Sequence, residues 1–374
     1  MKVRKWWLVG AAAIALGLAG AAGAQQVTGT EPDFPRGRIS GYLFGDYYYN
    51  VTGDPVHTYN ASGVDAARPN IDGATAANGA PNLTGKDLSG FQIRRIYFQA
   101  DNDLSIKFAT RFRLEADSKA LTSDGKIGVY VKAAYLQAKS IYPGGSLFFG
   151  MLPTPIFETA EELWGYRSLE KTIADFRGIA SSADVGAEVK GSIDSGKKIQ
   201  YAAMIGDGTG QKPETNRYKR AYLALPMRPN DMVVLEPYVD YEAGPKGEEH
   251  ATYKALAGLD VRRGTLGIEV VDRINHVPGA PTTEPFGISA YARGKVNPKL
   301  GWVARYDRWQ PNTRLANRID SDLYIGGLDW EPFKDVHFMP NVEATQYRAQ
   351  GTAVAPRHHD LQARITVYYR WSKP

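Results

Sequence analysis

The sequence predicts an all-β chain: a sixteen-stranded antiparallel transmembrane β-barrel with one connection, carrying a short helix, folded into its interior. Three observations carry that expectation. From Arg38 onward about sixteen segments alternate in side-chain character, most over roughly 9 to 13 residues, the length a tilted membrane-crossing strand needs. The connections between them alternate between tight and long. Aromatic residues make up 11% of the chain and crowd the ends of the predicted strands, as girdles at two membrane interfaces would.

The chain opens with Lys2, Arg4 and Lys5, an apolar run from Trp6, and Ala22-Gly23-Ala24, the pattern of a cleaved export signal over 1–24. The alternative there is an uncleaved N-terminal anchor. Residues 25–37 form an N-terminal segment, and 38–374 the barrel. Beyond the signal no run of 18 apolar residues occurs, so no helix is long enough to cross a bilayer. The chain holds 45 basic and 40 acidic residues, and removing the signal's three cations leaves 42 against 40. That near-neutral balance argues against nucleic acid as a partner. Without cysteine, neither disulfides nor thiolate metal sites are available.

In order, the expected strands are 38–51, 90–101, 104–117, 127–140, 145–152, 183–193, 197–206, 217–227, 231–242, 250–263, 265–275, 285–296, 299–309, 319–331, 335–348 and 359–371. Tight turns are expected at Asn102-Asp103, Tyr142 to Gly145, Asp194-Ser195-Gly196, Arg228-Pro229-Asn230, Arg263-Gly264, Asn297-Pro298 and Pro332-Phe333-Lys334. Gly and Asn tolerate positive φ and Pro presets its own, which is why these residues close hairpins. The long connections are 52–89, 118–126, 153–182, 207–216, 243–249, 276–284, 310–318 and 349–358. Short turns on one side of a membrane and long loops on the other give this rhythm. The first long loop, rich in Gly, Ala, Asn and Asp, also fits a linker.

Side-chain parity orients the strands. Between 104 and 117, Leu104, Ile106, Phe108, Thr110, Phe112 and Leu114 share one face, and Lys107, Arg111, Arg113, Glu115 and Asp117 the other. Turning that ribbon over would place each cation in lipid at about 2 to 4 kcal/mol near the midplane. The last strand alternates likewise, with Leu361, Ile365, Val367 and Trp371 opposite Arg364 and Arg370, and 286–309 sets Arg293, Lys295 and Arg305 against apolar neighbours. A soluble sandwich would alternate too, but would not need so charged a face. Around Arg94-Arg95, Ala133-Ala134 and Gly326-Gly327 the phase slips, which predicts bulges.

The stretch Thr154 to Ser182 departs from this pattern. Thr159 and Glu162 have the spacing of a capping box, predicting a short helix near Ala160 to Glu170. Its charged residues are Glu158, Glu161, Glu162, Arg167, Glu170, Lys171, Asp175 and Arg177. A solvated surface helix is the ordinary reading of such a run; its place among strands points to a role inside the barrel.

The segments Phe91 to Asp117, VYVKAAYLQAK and LFFGMLPTPIFE, and Tyr166 to Gly191, resemble the early hairpin and third loop of Gram-negative outer-membrane porins, especially the phosphate-selective porin-like group. These motifs cover about a quarter of the chain. The resemblance implies an outer-membrane location, 25–37 in the periplasm, and a homotrimer. It also implies that 153–182 is a constriction loop folded inward. One departure is the end of the chain, where Ser372-Lys373-Pro374 follow Trp371.

The pore wall is then expected to carry Lys107, Arg111, Arg113, Lys132, Lys190, Lys254, Arg262, Arg273, Arg293, Lys295, Arg305, Arg364 and Arg370 against Glu115, Asp117, Asp184, Glu188, Asp260, Glu269 and Asp307. Such a lumen concentrates anions. Glu161, Glu162 and Asp175 facing Arg111, Arg113 and Lys132 would create a transverse field, unless loop and wall pair off.

Gly206 to Gly210 superficially matches a phosphate loop, but no Walker lysine or helix pattern follows. His358-His359-Asp360 is a weak metal motif, and neither a cofactor nor a catalytic constellation is expected. The sequence therefore reads as a channel for passive diffusion of small hydrophilic solutes and inorganic anions, in outer-membrane lipid. Two other readings stand beside it: a barrel whose occluded pore serves surface binding or envelope structure, and an exported soluble β-protein.

Overall fold

The computed structural model describes residues 33–53, 69–70, 74–75, 86–352 and 359–373. The expected signal peptide, most of the 25–37 segment, most of the first long loop and His358 lie outside them. Asp33 and Phe34 belong to a separate leading unit, and the barrel unit begins at Pro35.

Sixteen strands close on themselves, each antiparallel to its neighbours. They are β1 Arg36–Thr52, β2 Ser89–Asp103, β3 Phe108–Leu121, β4 Ile127–Tyr142, β5 Gly145–Pro153, β6 Ala183–Ser192, β7 Gln200–Gly206 and β8 Arg220–Ala224. The second half comprises β9 Val233–Ala243, β10 Glu249–Val261, β11 Gly264–His276, β12 Phe286–Asn297, β13 Leu300–Gln310, β14 Arg318–Phe333, β15 Val336–Gln350 and β16 Asp360–Lys373. β16 returns to pair with β1, from Ile39↔Lys373 to Thr52↔Leu361, so the sheet has no free edge. Closure pairs the backbone amides that an open sheet would leave bare in hydrocarbon. A two-residue ladder, Pro69–Asn70 with Ala74–Thr75, lies within the first long loop.

Parity decides which face meets lipid. On β13, Trp302, Ala304 and Tyr306 are exposed while Val303, Arg305, Asp307 and Trp309 are buried. Outward aromatics collect at two levels. Tyr47 lies against Phe91 (ring centroids 4.9 Å apart) and Tyr306 against Tyr324 (5.2 Å) toward the long-loop end. Toward the short-turn end, Trp330 meets Phe338 (5.7 Å) and Trp371 meets Phe98 (6.2 Å). Exposed Ile, Leu and Val such as Ile268, Val342 and Ile365 complete the outward face. This is the banding of a membrane-facing surface.

Two of the three expected bulges are present. Phe44 pairs with Arg95 and Gly45 with Ile93, leaving Arg94 as the extra residue. Arg113 pairs with Ala133 and Leu114 with Val131, leaving Lys132 extra. At Gly326-Gly327 the register runs on unbroken to Trp330, and the irregularity falls between Trp330 and Phe333. The Asn102-Asp103 turn is also corrected: β2 runs through Asp103, and the turn is Leu104 to Lys107. Ser105 closes it, its Oγ accepting from the amides of Lys107 (3.2 Å) and Phe108 (3.1 Å). Alternation of Leu104, Ile106 and Phe108 had imitated a strand.

The connection 153–182 carries α1, Glu158–Trp164, and α2, Ile173–Phe176. The helix starts and ends earlier than the sequence predicts because no capping box forms. Phe157 is the N-cap without a side-chain cap, and the Thr159 hydroxyl, inside the first turn, donates to Glu236 on the wall. Gly165 ends the helix with φ +71°, a left-handed conformation that favours glycine.

Candidate functional site

The inward connection is built as a second, small core. Leu152, Ile156, Leu169, Ile173 and Trp164 are all 0% exposed. They pack on inward apolar side chains of β7–β15, among them Met204, Tyr222, Val234, Leu256, Tyr291, Val303, Leu323 and Met339. The loop thus covers one side of the lumen, where apolar wall side chains stand among the charged ones. Gly258 on β10 permits the approach, since a Cβ there would meet Leu163 Cδ2 at 2.3 Å.

Wall cations fasten the loop through its backbone. Arg94 donates to the carbonyls of Leu169 (2.8 Å) and Ser168, Arg293 to that of Leu163 (3.1 Å), Lys254 to that of Ile156, Arg273 to that of Ile179 and Arg305 to that of Lys171. Each is a charge-assisted bond in a sheltered place, worth more than its neutral counterpart. Carboxylates behind them hold the cations in position: Asp46 for Arg94, Glu236 for Lys254 (2.7 Å) and Asp307 for Arg305.

Within the loop, Arg167 bridges Glu161 and Asp175, at 2.7 Å to each, and Lys171 lies 3.7 Å from Asp175. Burial raises the Asp175 carboxyl, but Lys171 and Arg167 outweigh it and hold it well below the usual carboxylate range. Burial lowers Arg177 to about 10, against the attraction of Asp307, so it remains charged at neutral pH.

Opposite the covered wall, a cavity of about 210 Å³ remains between the loop and strands β1–β4. Tyr42, Tyr97, Arg111, Arg113 and Lys132 border it from the wall, and Phe157, Glu158, Glu161 and Arg167 from the loop. Arg111 is joined to Asp101 (2.6 Å) and Lys132 to Glu115 (3.1 Å) and Ser182 (2.6 Å). Arg113 donates to the Gln99 amide oxygen at 2.6 Å and lies over the Tyr97 ring, with no carboxylate partner among the described residues. Arg111 also borders a cavity of about 570 Å³ at the short-turn mouth, with Arg36, Arg38, Lys139 and Asp103.

Solved structures share this architecture. OmpT of Vibrio cholerae matches at TM-score 0.60 with 12% identity over 91% of this chain and 99% of its own. The anion-selective porin of Comamonas acidovorans matches at 0.62 with 10% identity over 90% and 100%, and the outer-membrane channel DcaP of Acinetobacter baumannii at 0.62 with 10% over 92% and 100%. The chain has the porin fold. No family's sequence profile matches the chain, and no curated protein does. The structures named here carry no reference to phosphate selectivity.

On this porin fold the sequence-expected residues divide into groups. Arg111, Arg113 and Lys132 meet Glu158, Glu161 and Arg167 at the narrow cavity. Glu162 is exposed and turned to Arg228 (2.9 Å), away from that wall, whereas Asp175, salt-bridged to Arg167 inside the loop, lies within electrostatic reach of Lys132. Glu170 is buried, accepting from its neighbour Lys171's amide at 2.8 Å, and Arg177 is buried against Phe176 and Trp309. Lys190 pairs with Glu158 (2.6 Å) at the edge of the cavity.

Other pore-wall expectations are corrected. Lys107 and Arg262 sit in exposed turns, not on strands. Arg293 and Arg305 hold the loop. Arg364 is buried with Glu343 and Asn341, while Lys295 (3.7 Å from Glu331) and Arg370 (2.5 Å from Asp335) are paired at the short-turn rim. Arg94 and Arg95, absent from the expected wall, are both buried inside because the bulge turns two consecutive residues inward. The phase slip at that pair was the signal for it. The Gly206 to Gly210 segment is no anion cradle: Asp184 already accepts from the amides of Gly208 (2.8 Å) and Gly210 (3.1 Å). Among the described residues no cluster of three metal-ligating side chains occurs.

Proposed function

We propose that the protein is an outer-membrane channel for passive diffusion of small hydrophilic solutes and ions, with a weak preference for anions. It is exported by a signal peptide cleaved near residue 24 and works as a homotrimer, without cofactor, metal or catalysis. The observation carrying this reading is the lining of the narrow cavity. Four cations, Arg111, Arg113, Lys132 and Arg167, border it against two carboxylates, Glu158 and Glu161. Asp101 and Glu115, which balance Arg111 and Lys132, do not border it, so inside this cavity a solute meets the basic side.

Supporting the reading, the Comamonas acidovorans structure of the same fold is described as an anion-selective porin, and one Vibrio cholerae OmpT structure as a trimer form. The test is the reversal potential of the purified protein in a planar bilayer across a salt gradient. A stable conductance with reversal displaced toward the anion potential is expected. A cation-side reversal overturns the anion preference. A heat-modifiable barrel that passes no current favours the occluded reading instead.

A further inference from the structure

On the external side of the inward loop lies a cavity of about 510 Å³, between the Arg177–Ile179 turn and the long-loop ends of β11–β14. It is chemically unlike the narrow cavity. Three guanidiniums border it, Arg177, Arg273 and Arg318, and no carboxylate among the described residues does. Arg318 is paired with Asp320 at 2.8 Å, but among the described residues Arg273 donates only to neutral acceptors, the Asn275 amide oxygen (2.7 Å) and the Ile179 carbonyl.

Arg177 is 7% exposed, and its Nε and Nη2 atoms, the side-on edge of the fork, have no hydrogen-bond partner among the described residues. The Trp309 indole Nε1 is equally unmatched, its ring 5.6 Å from the Arg177 guanidinium. Buried donors nearly always have an acceptor. Both residues border the acid-free cavity, and a rotation of the Arg177 side chain toward it would give its open edge an acceptor there. The rest of the wall sets the apolar Pro285, Pro311, Leu315 and Ile319 beside the neutral polar side chains of Asn275, Thr283, Asn312 and Asn317.

We propose that this cavity is a docking site in the external vestibule for small organic anions, a carboxylate carried on an apolar or aromatic body. A planar carboxylate matches a side-on guanidinium edge with two oxygens. The prolines, leucine and isoleucine take the body, for which an inorganic anion hydrated on every side has no counterpart. Captured there, such a solute waits directly above the constriction loop. This consequence rests on the channel reading, but the binding itself does not.

The test is isothermal titration of the full-length detergent-solubilised protein with benzoate, benzyl alcohol and inorganic phosphate. Benzoate is expected to saturate with a Kd on the order of millimolar, and the other two to bind at least about tenfold more weakly. Arg177→Gln is expected to weaken benzoate by about tenfold or more. Since that change could disturb the loop, Asn312→Asp is the second variant. The Asn312 side-chain oxygen accepts from the amides of Glu284 (3.0 Å) and Arg314 (3.2 Å), a role aspartate keeps while adding a negative charge to the cavity. The same loss in Asn312→Asp, with heat-modifiable mobility and salt conductance unchanged, supports the site. Equal binding of benzyl alcohol or phosphate, or benzoate affinity unmoved in Asn312→Asp, overturns it. Absence of conductance in a protein that still binds benzoate would sink the channel reading and leave the site standing.

Discussion

Replacing Trp164 by alanine tests whether the inward loop is held by packing. Its indole is 0% exposed, 5.2 Å from the Tyr291 ring, with the Arg305 guanidinium 5.1 Å over its face. Its Nε1 donates to the Glu170 carbonyl at 2.8 Å. A tryptophan of this kind buries on the order of 200 Å², which at 25 cal/mol per Å² is about 5 kcal/mol. Aromatic-to-alanine changes in cores cost about 3 to 5 kcal/mol. A loss of about 4 kcal/mol lowers the ratio of docked to released loop roughly a thousandfold. No strand contains Trp164, so the barrel and its heat-modifiable mobility are expected to survive. Limited trypsin digestion in detergent reads the loop directly, because Arg167, Lys171 and Arg177 become cleavable once it lifts. Single-channel records should show added current fluctuation. A Trp164→Ala protein as resistant to trypsin as the parent, with identical conductance, would refute the claim that packing holds the loop.

Three other outcomes follow from the same geometry. Arg113→Glu changes two units of charge at the narrow cavity, each worth about 1 kcal/mol at contact in water, so the anion-to-cation permeability ratio should fall about thirtyfold at low salt; an unmoved reversal potential contradicts the basic lining. Gly258→Ala drives a methyl group into Leu163 and should destabilise loop docking by about 1 to 3 kcal/mol, read as faster trypsin cleavage within 153–182. Asp175 is ionised more readily in the folded loop than in an open chain, so its contribution is present above the ordinary carboxylate pKa of about 4 and is lost as pH falls below that value. Loop cleavage by an acid-active protease should therefore rise below about pH 4 in the parent, while Asp175→Asn should show its defect already at neutral pH and no such step.

Most of the barrel was legible because lipid imposes a rule on every second residue. A strand such as β13 cannot exchange Arg305 and Asp307 for Trp302 and Tyr306 without placing charge in hydrocarbon. The rule weakens wherever neither lipid nor water is the neighbour. Leu104 and Ile106 alternate like strand residues yet sit in a turn, because Ser105 offers its hydroxyl to the turn's amides. The lumen was harder still. Counting inward cations assumes that each faces water, but Arg293, Arg305, Lys254, Arg273 and Arg94 are committed to backbone carbonyls of the loop. A carbonyl is present at every residue and leaves no mark in the sequence. For the same reason, Thr159 and Glu162 have capping-box spacing while Glu236, distant in sequence, claims the hydroxyl.

The ladder between β1 and β16 constrains how the molecule can be made. Every other barrel ladder joins consecutive strands, but this one matches position 39 with position 373. Bringing such distant points together costs about 3 kcal/mol more chain entropy than a ten-residue hairpin. The stitch that removes both raw borders also requires the last of the sixteen strands to be made. A nascent chain is therefore an open ribbon with two adhesive margins, prone to pair wrongly until the sixteenth strand arrives.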